Sequence, residues 1–557
     1  MENIEIAGAL RQAADLMEML GANPFRVRAY RHAGRVVYEQ EQPLRELVAA
    51  GGDLTELPGI GRGVAAGIHE LLTGGQMEVT REMLEQVPSG LLEVKRIPGL
   101  GTRKVRRLWE ELGVESIDDL EEAASAGAVA EMAGFGAKTQ DAILAWIQRA
   151  RSGGVRFQTA TADELVVPLL EHVRGWPGIE RAEPAGDARR RTETVDKVVV
   201  LAQTRANPAG AGATPPGAAD ILAGFPAARG TRGGADSAAG VLRSRLPVEV
   251  HVVAETQWGS AWVELTGSAT HLEQITVSGG ATTEEEVYRR AGLAWIPPEL
   301  REGRGEVEAA ASDALPRLIE TNHIRGDIHM HSTWSDGRAS IEEMVAACAR
   351  RGYEYMAITD HSPALAMVQG LDEKRLGQQF VEIEQVQAAH PQIRILRGME
   401  VDILRTGELD LADEMLAELD IVIISVHSHF GLPPAEQTRR VLRAVGHPRA
   451  RIFGHMTGRL VGRRPPIDID VTEVLAACAE FGVAVEANAN PRRLDLRDEH
   501  LALARETGVP VVVNTDAHRP TELGLIRHGI DQARRAGLTA GDVLNTMPLP
   551  DLLAALR

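Results

Sequence analysis

The stretch GDIHMHSTWSDG at residues 326–337 decides how the C-terminal half of this chain is read. His329 and His331 alternate with apolar residues in a strand-like run, and a polar turn carrying Asp336 follows immediately. Side chains alternate along a strand, so a His-x-His pair puts both imidazoles on one face, as chelation requires. The same kind of ending recurs downstream. YMAITDHS (355–362) ends with His361, IRILRGMEVDI (393–403) carries Glu400, DIVIISVHS (420–428) carries His427, ARIFGHM (450–456) carries His455, and VPVVVNTDAH (509–518) carries Asp516 and His518. With VAVEANA (483–489), which contributes no candidate, these make seven strand-like runs separated by helix-like segments.

Such alternation predicts a parallel barrel or barrel-like sheet whose chemistry gathers at the C-terminal ends of the strands. Nine candidate ligands, His329, His331, Asp336, His361, Glu400, His427, His455, Asp516 and His518, exceed the three or four protein groups that one ion takes. About two or three divalent ions are therefore expected. Imidazole and carboxylate suit manganese or zinc, with iron also compatible. One histidine at a strand end is usually a satisfied polar residue; a set recurring at nearly every strand end is not explained that way. His390, His447, His500 and His528 fall in helix or loop text and stay outside the set, and His429 is ambiguous.

The first 150 or so residues read as short helices with Gly-containing turns. Three segments, 57–72, 97–112 and 132–147, each give apolar-x-Gly-x-Gly followed by an amphipathic helix. Glycines permit a tight turn whose backbone N–H groups point outward at a helix N-terminus and can hold a phosphate, so Gly59, Gly61, Gly99 and Gly101 are candidate DNA contacts. One copy could be a packing turn, but three at nearly even spacing read as helix-hairpin-helix motifs. Arg103, Lys104, Arg106 and Arg107 add the positive charge that sequence-independent contact with a DNA backbone needs. A formal net charge of -19 argues against a broad positive field, so any such binding is local.

Residues 156–300 read as mixed α/β, with VDKVVVLA and LPVEVHVVA as strands. The Gly-, Ala- and Pro-rich stretch 206–240 is expected to be largely loop or poorly ordered. At 557 residues the chain exceeds what one core organises, and the segments expected are 1–85, 86–155, 156–300, a linker at 301–322, and 323–557. With 44% hydrophobic and 25% charged residues the composition is that of a soluble globular protein, and no apolar run approaches the ~20 residues of a membrane span. The acidic start MENIEIAG lacks the basic-then-apolar pattern of a leader peptide. Cys348 and Cys478 lie in alanine-rich, helix-like text and read as reduced core thiols. A cytoplasmic monomer without membrane association is expected.

GDIHMHSTWSDG, AITDHS, GMEVDI, SVHS, GHMTGR and NTDAH resemble the signature blocks of the polymerase and histidinol phosphatase (PHP) domain, a metal-dependent phosphoesterase. The resemblance implies a distorted (β/α)7 barrel in which His329, His331, Glu400 and Asp516 hold one ion and form the catalytic set. It implies Glu400 bridging to a second ion with His427 and His455, and Asp336, His361 and His518 on a third. Arg459 in GHMTGR and Asn490 in NANP are candidate substrate-phosphate or sugar contacts, with a salt-bridged arginine and a turn asparagine as equal alternatives. Upstream, NPFRVRAYRHA, AGDARRRTETV, LTGSATH and IPPELREGRGEVEAA resemble bacterial family X DNA polymerases that carry a C-terminal PHP domain, over most of the chain. The fold so implied is multidomain: an α-helical N-terminal helix-hairpin-helix region (a small domain, then a fingers-like one), an α/β nucleotidyltransferase-like palm and thumb, and the barrel.

Nucleotidyl transfer in that family needs an Asp-x-Asp pair and a third aspartate to hold two magnesium ions. Here the pair positions hold Lys197 and Val199, and the third holds Glu249. Neither lysine nor valine replaces a carboxylate ligand for a hard cation. Asp187 follows Gly186 where a serine is expected, Asp196 is one residue out of register, and Gly67 stands where related repair polymerases place the lyase lysine. Polymerase activity, and magnesium at that site, are therefore not expected. The expected activity is that of a DNA-repair 3'-5' exonuclease or 3'-end-processing phosphodiesterase, working through the PHP site on gapped DNA or 3' ends while the degenerate core binds DNA. The alternatives are a small-molecule phosphatase of histidinol-phosphatase type, a DNA-binding scaffold, and a polymerase with residual activity using Glu249 and Asp196.

Overall fold

The computed structural model describes residues 3–39, 44–49, 51–74, 77–84, 86–88, 90–95, 97, 99–153, 156–205, 217–242, 245–365 and 368–556; the first part of the expected loop, 206–216, lies outside them. They form two compact units, one built mainly on Met1–Arg156 and one holding Phe157–Asp163, Leu169–Leu242 and Pro247–Arg557. Helices make up the first unit, from Asn3–Met19 to Gly136–Gly153, around a core of Ile6, Leu10, Leu16, Val37, Ile68, Val105, Leu108 and Ile147. Its repeated turns have one form: Gly59 (φ +80°) and Gly99 (φ +85°) sit in the left-handed region that glycine adopts without strain, and helices Arg62–Gly74 and Thr102–Leu112 begin three residues later.

In the second unit, strands β1 (Ile179–Ala185), β2 (Val198–Thr204), β3 (Ala228–Gly233), β4 (Ser237–Leu242) and β5 (Pro247–Val253) form a sheet in the order β1-β2-β5-β4-β3, with β2 and β5 parallel and the other neighbours antiparallel. The loop expectation for 206–240 is corrected here. Its described part forms helix Ala218–Ala223 and strands β3 and β4. Small residues serve packing in this segment: β4 alternates exposed and buried positions, and a Cβ on Gly240 would lie 3.2 Å from Leu222 Cδ2. Behind the sheet, Glu284 accepts paired hydrogen bonds from Arg189 (2.6 and 2.7 Å) and from the fully buried Arg301 (2.7 and 3.0 Å).

The barrel follows, with strands β6 (Gly326–Asp327), β7 (Tyr355–Ile358), β8 (Arg394–Asp402), β9 (Ile421–Ser425), β10 (Ile452–Phe453), β11 (Ala484–Asn488) and β12 (Val511–Asn514), all parallel and neighbours in chain order. The ring is brought to near closure past the strand ends, where Met330 bridges Ala517 and His331 N–H donates to Ala517 O at 2.8 Å. Side-chain parity explains where the chemistry sits. Leu396, Ile423, Ala484 and Val512 fill the barrel floor against Leu544, Leu552 and Leu556, whereas Ile395, Val422, Val485 and Val511 pack outward under the helices. Continuing the inward parity toward the strand ends gives Glu400, Ser425, Glu486, Asn488 and Asn514. Cys348 and Cys478 are buried free thiols in two of the covering helices. Among the described residues no helix is long and apolar enough to cross a membrane.

Burial pushes the Glu284 carboxyl up, but Arg189 and Arg301 outweigh it and hold its pKa at about 2, against an ordinary 4.5. A depressed carboxylate contributes stability above its unfolded pKa and loses it as pH falls through the folded one, here worth about 3 kcal/mol. Glu284→Gln, which strands two buried guanidinium groups, is expected to cost about 3 to 5 kcal/mol at pH 7. In urea unfolding, the gap between wild type and variant should narrow between pH 4.5 and about 2; a gap independent of pH would contradict this.

Candidate metal centre

The C-terminal mouth of the barrel brings all nine sequence candidates together. Their ligand atoms form four overlapping groups: His331, Asp336, His361 and His518; His329, His331 and Asp516; His329, Glu400 and His455; and His361, Glu400 and His427. Glu400, fully buried at the end of β8, is the hub. Its Oε1 lies 2.8 Å from His455 Nε2 and 3.3 Å from His427 Nε2, while Oε2 lies 3.1 Å from His361 Nδ1, 3.4 Å from His329 Nε2 and 3.6 Å from His331 Nε2. Asp516 Oδ1 lies 3.1 Å from His331 Nε2, and Asp336 reaches His361 and His518 at 3.4 and 3.3 Å. His390, His447, His500, His528 and His429 belong to none of these groups.

Several of these atoms have no hydrogen-bond partner although they are buried: both Glu400 oxygens, both ring nitrogens of His427 and His455, His329 Nε2, His331 Nδ1 and His361 Nδ1. Buried polar groups are ordinarily satisfied, so a concentration of orphans needs an explanation. Divalent cations fit this donor set, because a cation takes lone pairs from carboxylates and imidazoles at once, which no protein donor can do. Burial pushes Glu400 up, but His427, His329, His361 and His455 outweigh it and hold its carboxyl well below the ordinary range. Burial, with His518 and His361 beside it, pushes His331 down to about 3, which leaves it a neutral imidazole.

A surrounding layer that the sequence reading did not pick out fixes these rings. Glu486, on the one strand without a candidate, lies 2.7 Å from His329 Nδ1 through Oε1 and also accepts from Asn514 Nδ2 (3.0 Å), His455 N–H (2.8 Å) and Asn488 Nδ2 (3.0 Å). Burial pushes the Glu486 carboxyl up, but His329 outweighs it and lowers it; the 2.7 Å contact makes Glu486 an acceptor for an Nδ1 proton and turns Nε2 toward the cluster. Asp402 stands 3.3 Å from His427 Nδ1, and Asp360 accepts from Ser332 and Gln379 to fasten the loop that carries Asp336. A charged residue of inward parity in the apolar run VAVEANA was the signal for Glu486.

Two candidate phosphate contacts have protein partners of their own, as the salt-bridge and turn alternatives for them anticipate. Arg459 is committed to Glu193 Oε2 (2.6 Å), Arg493 O (2.9 Å) and Leu494 O, and Asn490 accepts from Arg492 N–H (3.1 Å) as a turn former. The arginine at the site is Arg493: its Nε lies 3.3 Å from Asp516 Oδ2, and its buried Nη1 has no hydrogen-bond partner.

In the five-stranded sheet, Lys197 Nζ lies 2.7 Å from Glu249 Oε1, with His251 Nε2 3.6 Å from the other oxygen. Val199 pairs with Glu249 across β2 and β5, and its Cγ2 lies 3.4 Å from where a Cβ on Gly186 would stand. Asp187 is paired with Arg190 at 2.6 Å. A Cβ on Gly67 would lie 3.0 Å from Met77 Sδ. In the helical unit Cβ atoms on Gly61, Gly99 and Gly101 would meet nothing within 4 Å, so backbone there is approachable, whereas one on Gly59 would strike His32. Arg103 is exposed, Lys104 stacks on Phe135, and Arg106 and Arg107 pair with Glu110 and Glu111 one turn on.

A seven-stranded parallel barrel with this ligand set at one mouth defines a PHP-type domain, and residues 327–464 match the PHP domain family. Residues 1–77 match the helix-hairpin-helix domain, and residues 91–148 the SAM-like helix-hairpin-helix tandem. The DNA polymerase/3'-5' exonuclease PolX of Bacillus subtilis (strain 168) is 37% identical over the full length of both chains. A probable phosphatase of Thermoanaerobacter sp. (strain X514) is 31% identical over 40% of this chain and 89% of its own length, and one from Syntrophotalea carbinolica is 28% identical over 39% and 90%. The chain belongs to the bacterial PolX family, the family X polymerases with a C-terminal PHP domain.

Glu486→Gln replaces an acceptor of the His329 proton with an amide and is expected to weaken manganese binding about 10- to 100-fold while the barrel still folds. Metal titration followed by calorimetry measures this; an unchanged affinity would mean that Glu486 does not orient the ring.

Proposed function

We propose that the chain is a metal-dependent 3'-5' exonuclease or 3'-end-processing phosphodiesterase of DNA repair, acting at the barrel mouth on recessed or gapped DNA. Manganese or zinc is the expected metal, with iron also compatible. The single observation that carries the reading is the unpartnered, buried ligand cluster centred on Glu400. When bound, the ions supply Lewis acidity that makes a water more acidic and offsets charge on the phosphate. Glu400 presents its two oxygens to opposite sides of the cluster, so one side chain can serve two ions. Glu486 keeps the His329 proton on Nδ1, and Asp402 flanks His427. Arg493 holds a guanidinium beside Asp516 with a free edge for a phosphate oxygen, where a charge-assisted hydrogen bond is strongest. The likeness to a polymerase/3'-5' exonuclease over the whole chain, and the helix-hairpin-helix matches, support DNA as the substrate.

We also infer that the five-stranded module does not polymerise and serves as a DNA-binding platform in a cytoplasmic monomer. Of the three metal-ligand positions only Glu249 keeps a carboxylate, and Lys197 already neutralises it. An ammonium in that position leaves no net negative charge to draw magnesium. A second reading, a phosphatase for small phosphomonoesters, is favoured by the relatives that cover the barrel alone.

With manganese, the wild-type chain is expected to shorten a recessed 3' strand. A chelator should abolish the reaction, and Glu400→Ala or His331→Ala should lower kcat/KM by at least about a hundredfold. Release of phosphate from small phosphomonoesters with no nucleotide release from DNA would select the phosphatase reading instead. Primer extension with all four nucleotides and magnesium is expected to give no product; extended primer would overturn the inference about the sheet.

A further inference from the structure

The seam between the five-stranded module and the barrel holds a line of contacts that ends at the ligand cluster. Glu193, in the turn that leads to β2, accepts from Arg459 Nη2 at 2.6 Å, although 266 residues separate the two in sequence. Arg459 is buried, and its other contacts are all backbone: Nε donates to Arg493 O at 2.9 Å, and Nη2 also donates to Leu494 O. Leu494 has φ +42°, a left-handed conformation that costs a γ-branched residue about 1 kcal/mol or more and persists only where its surroundings over-determine it. A guanidinium gripping two successive carbonyls supplies that constraint. The side chain leaving the same clamped segment is Arg493, whose Nε lies 3.3 Å from Asp516 Oδ2 and whose Nη1 is buried and unpartnered. Other contacts cross the same seam: Arg191 pairs with Asp531 at 2.8 Å, and Arg535 donates to Arg190 O and to Glu302 at 2.8 and 2.7 Å.

We propose that Glu193 is a positioning residue for the phosphate-binding side of the barrel centre, acting through Arg459 to hold Arg493 in place. It touches no ligand group itself. A carboxylate of the polymerase-like module thereby sets how a phosphate is received in the hydrolytic module. This rests on the reading of Arg493 as a phosphate donor. Without Glu193, Arg459 loses its one charged partner on the opposite module, the Leu494 turn can relax, and the Arg493 guanidinium is no longer fixed over Asp516.

A double-mutant cycle on the full, manganese-treated chain tests this, with inorganic phosphate binding by calorimetry and 3'-nucleotide release as separate readouts. Arg493→Ala is expected to weaken phosphate binding about tenfold or more, the worth of one charge-assisted contact. Glu193→Ala should weaken it roughly three- to tenfold with manganese stoichiometry unchanged, and the double variant should be no weaker than Arg493→Ala alone, because the two act in series. Glu193→Gln removes only the charge and carries the cycle should the alanine variant fail to fold. Effects that multiply, or phosphate affinity unchanged in the Glu193 variants, would overturn the proposal. Coupled phosphate binding in a wild type that releases no nucleotide would instead sink the exonuclease reading and leave the positioning role standing.

Discussion

An ionised carboxylate with no exposed surface and no hydrogen-bond donor is the constraint around which the C-terminal module is built. Glu400 stands at the end of β8 with neither oxygen satisfied by a donor. An isolated charge so placed costs several kcal/mol, and only close positive charge offsets it. The imidazoles of His329, His331, His361, His427 and His455 surround it, yet these rings carry their own orphaned nitrogens. Carboxylate oxygens and imidazole nitrogens therefore face one another across the mouth of the barrel without hydrogen-bond geometry, an arrangement that makes physical sense when cations lie between them. The floor beneath is sealed by Leu396, Ile423 and Val512 against the C-terminal helix, so polar contact with the interior is confined to one end.

Much of this could be read from the chain because it depends on local parity. Strand side chains alternate with period two, so an apolar run that turns to His, Asp or Glu at its end announces both the barrel and its working face. The nine residues found in that way come together. Glu486 did not yield to the same reading, because it lies within its run rather than at the end, and its role appears only when β11 is placed beside β12 and the His329 ring. Arg459 and Asn490 are cases that the motif text left open between two readings. Each lies in motif text near a ligand, but the partner that claims Arg459 is Glu193, which no local pattern could supply. Composition misleads within 206–240, where an alanine- and glycine-rich stretch reads as loop but from Ala218 onward permits a helix and two strands to pack closely.

The two α/β modules treat the carboxylates at their candidate metal positions differently. In the barrel Glu400 is left without a protein donor on either oxygen, while in the sheet Lys197 brings a cation of its own to Glu249. That pair is partly exposed, so it contributes little to stability. The sheet is held by the buried Val198, Val200, Leu201 and Val250, whose packing does not involve the Lys197 and Glu249 side chains. Lysine at 197 and valine at 199 are thus compatible with a fully formed sheet, and the fold by itself says nothing of the module's chemistry.

What the sheet does retain is its attachment to the barrel, and that attachment is ionic. Arg191, Arg304, Arg459 and Arg535 bridge the seam to Asp531, Asp498, Glu193 and Glu302 respectively. Desolvation makes buried ion pairs poor sources of net stability, but removing one member strands the other, so such a network tolerates few alternative geometries. An apolar seam of the same size would hold the modules together while allowing them to slip. Directional guanidinium contacts fix the register to within a hydrogen bond, and at Arg459 that precision is passed to the backbone of Arg493 and Leu494, beside the ligand cluster. The seam therefore specifies the phosphate-facing wall of the centre as much as it joins two modules.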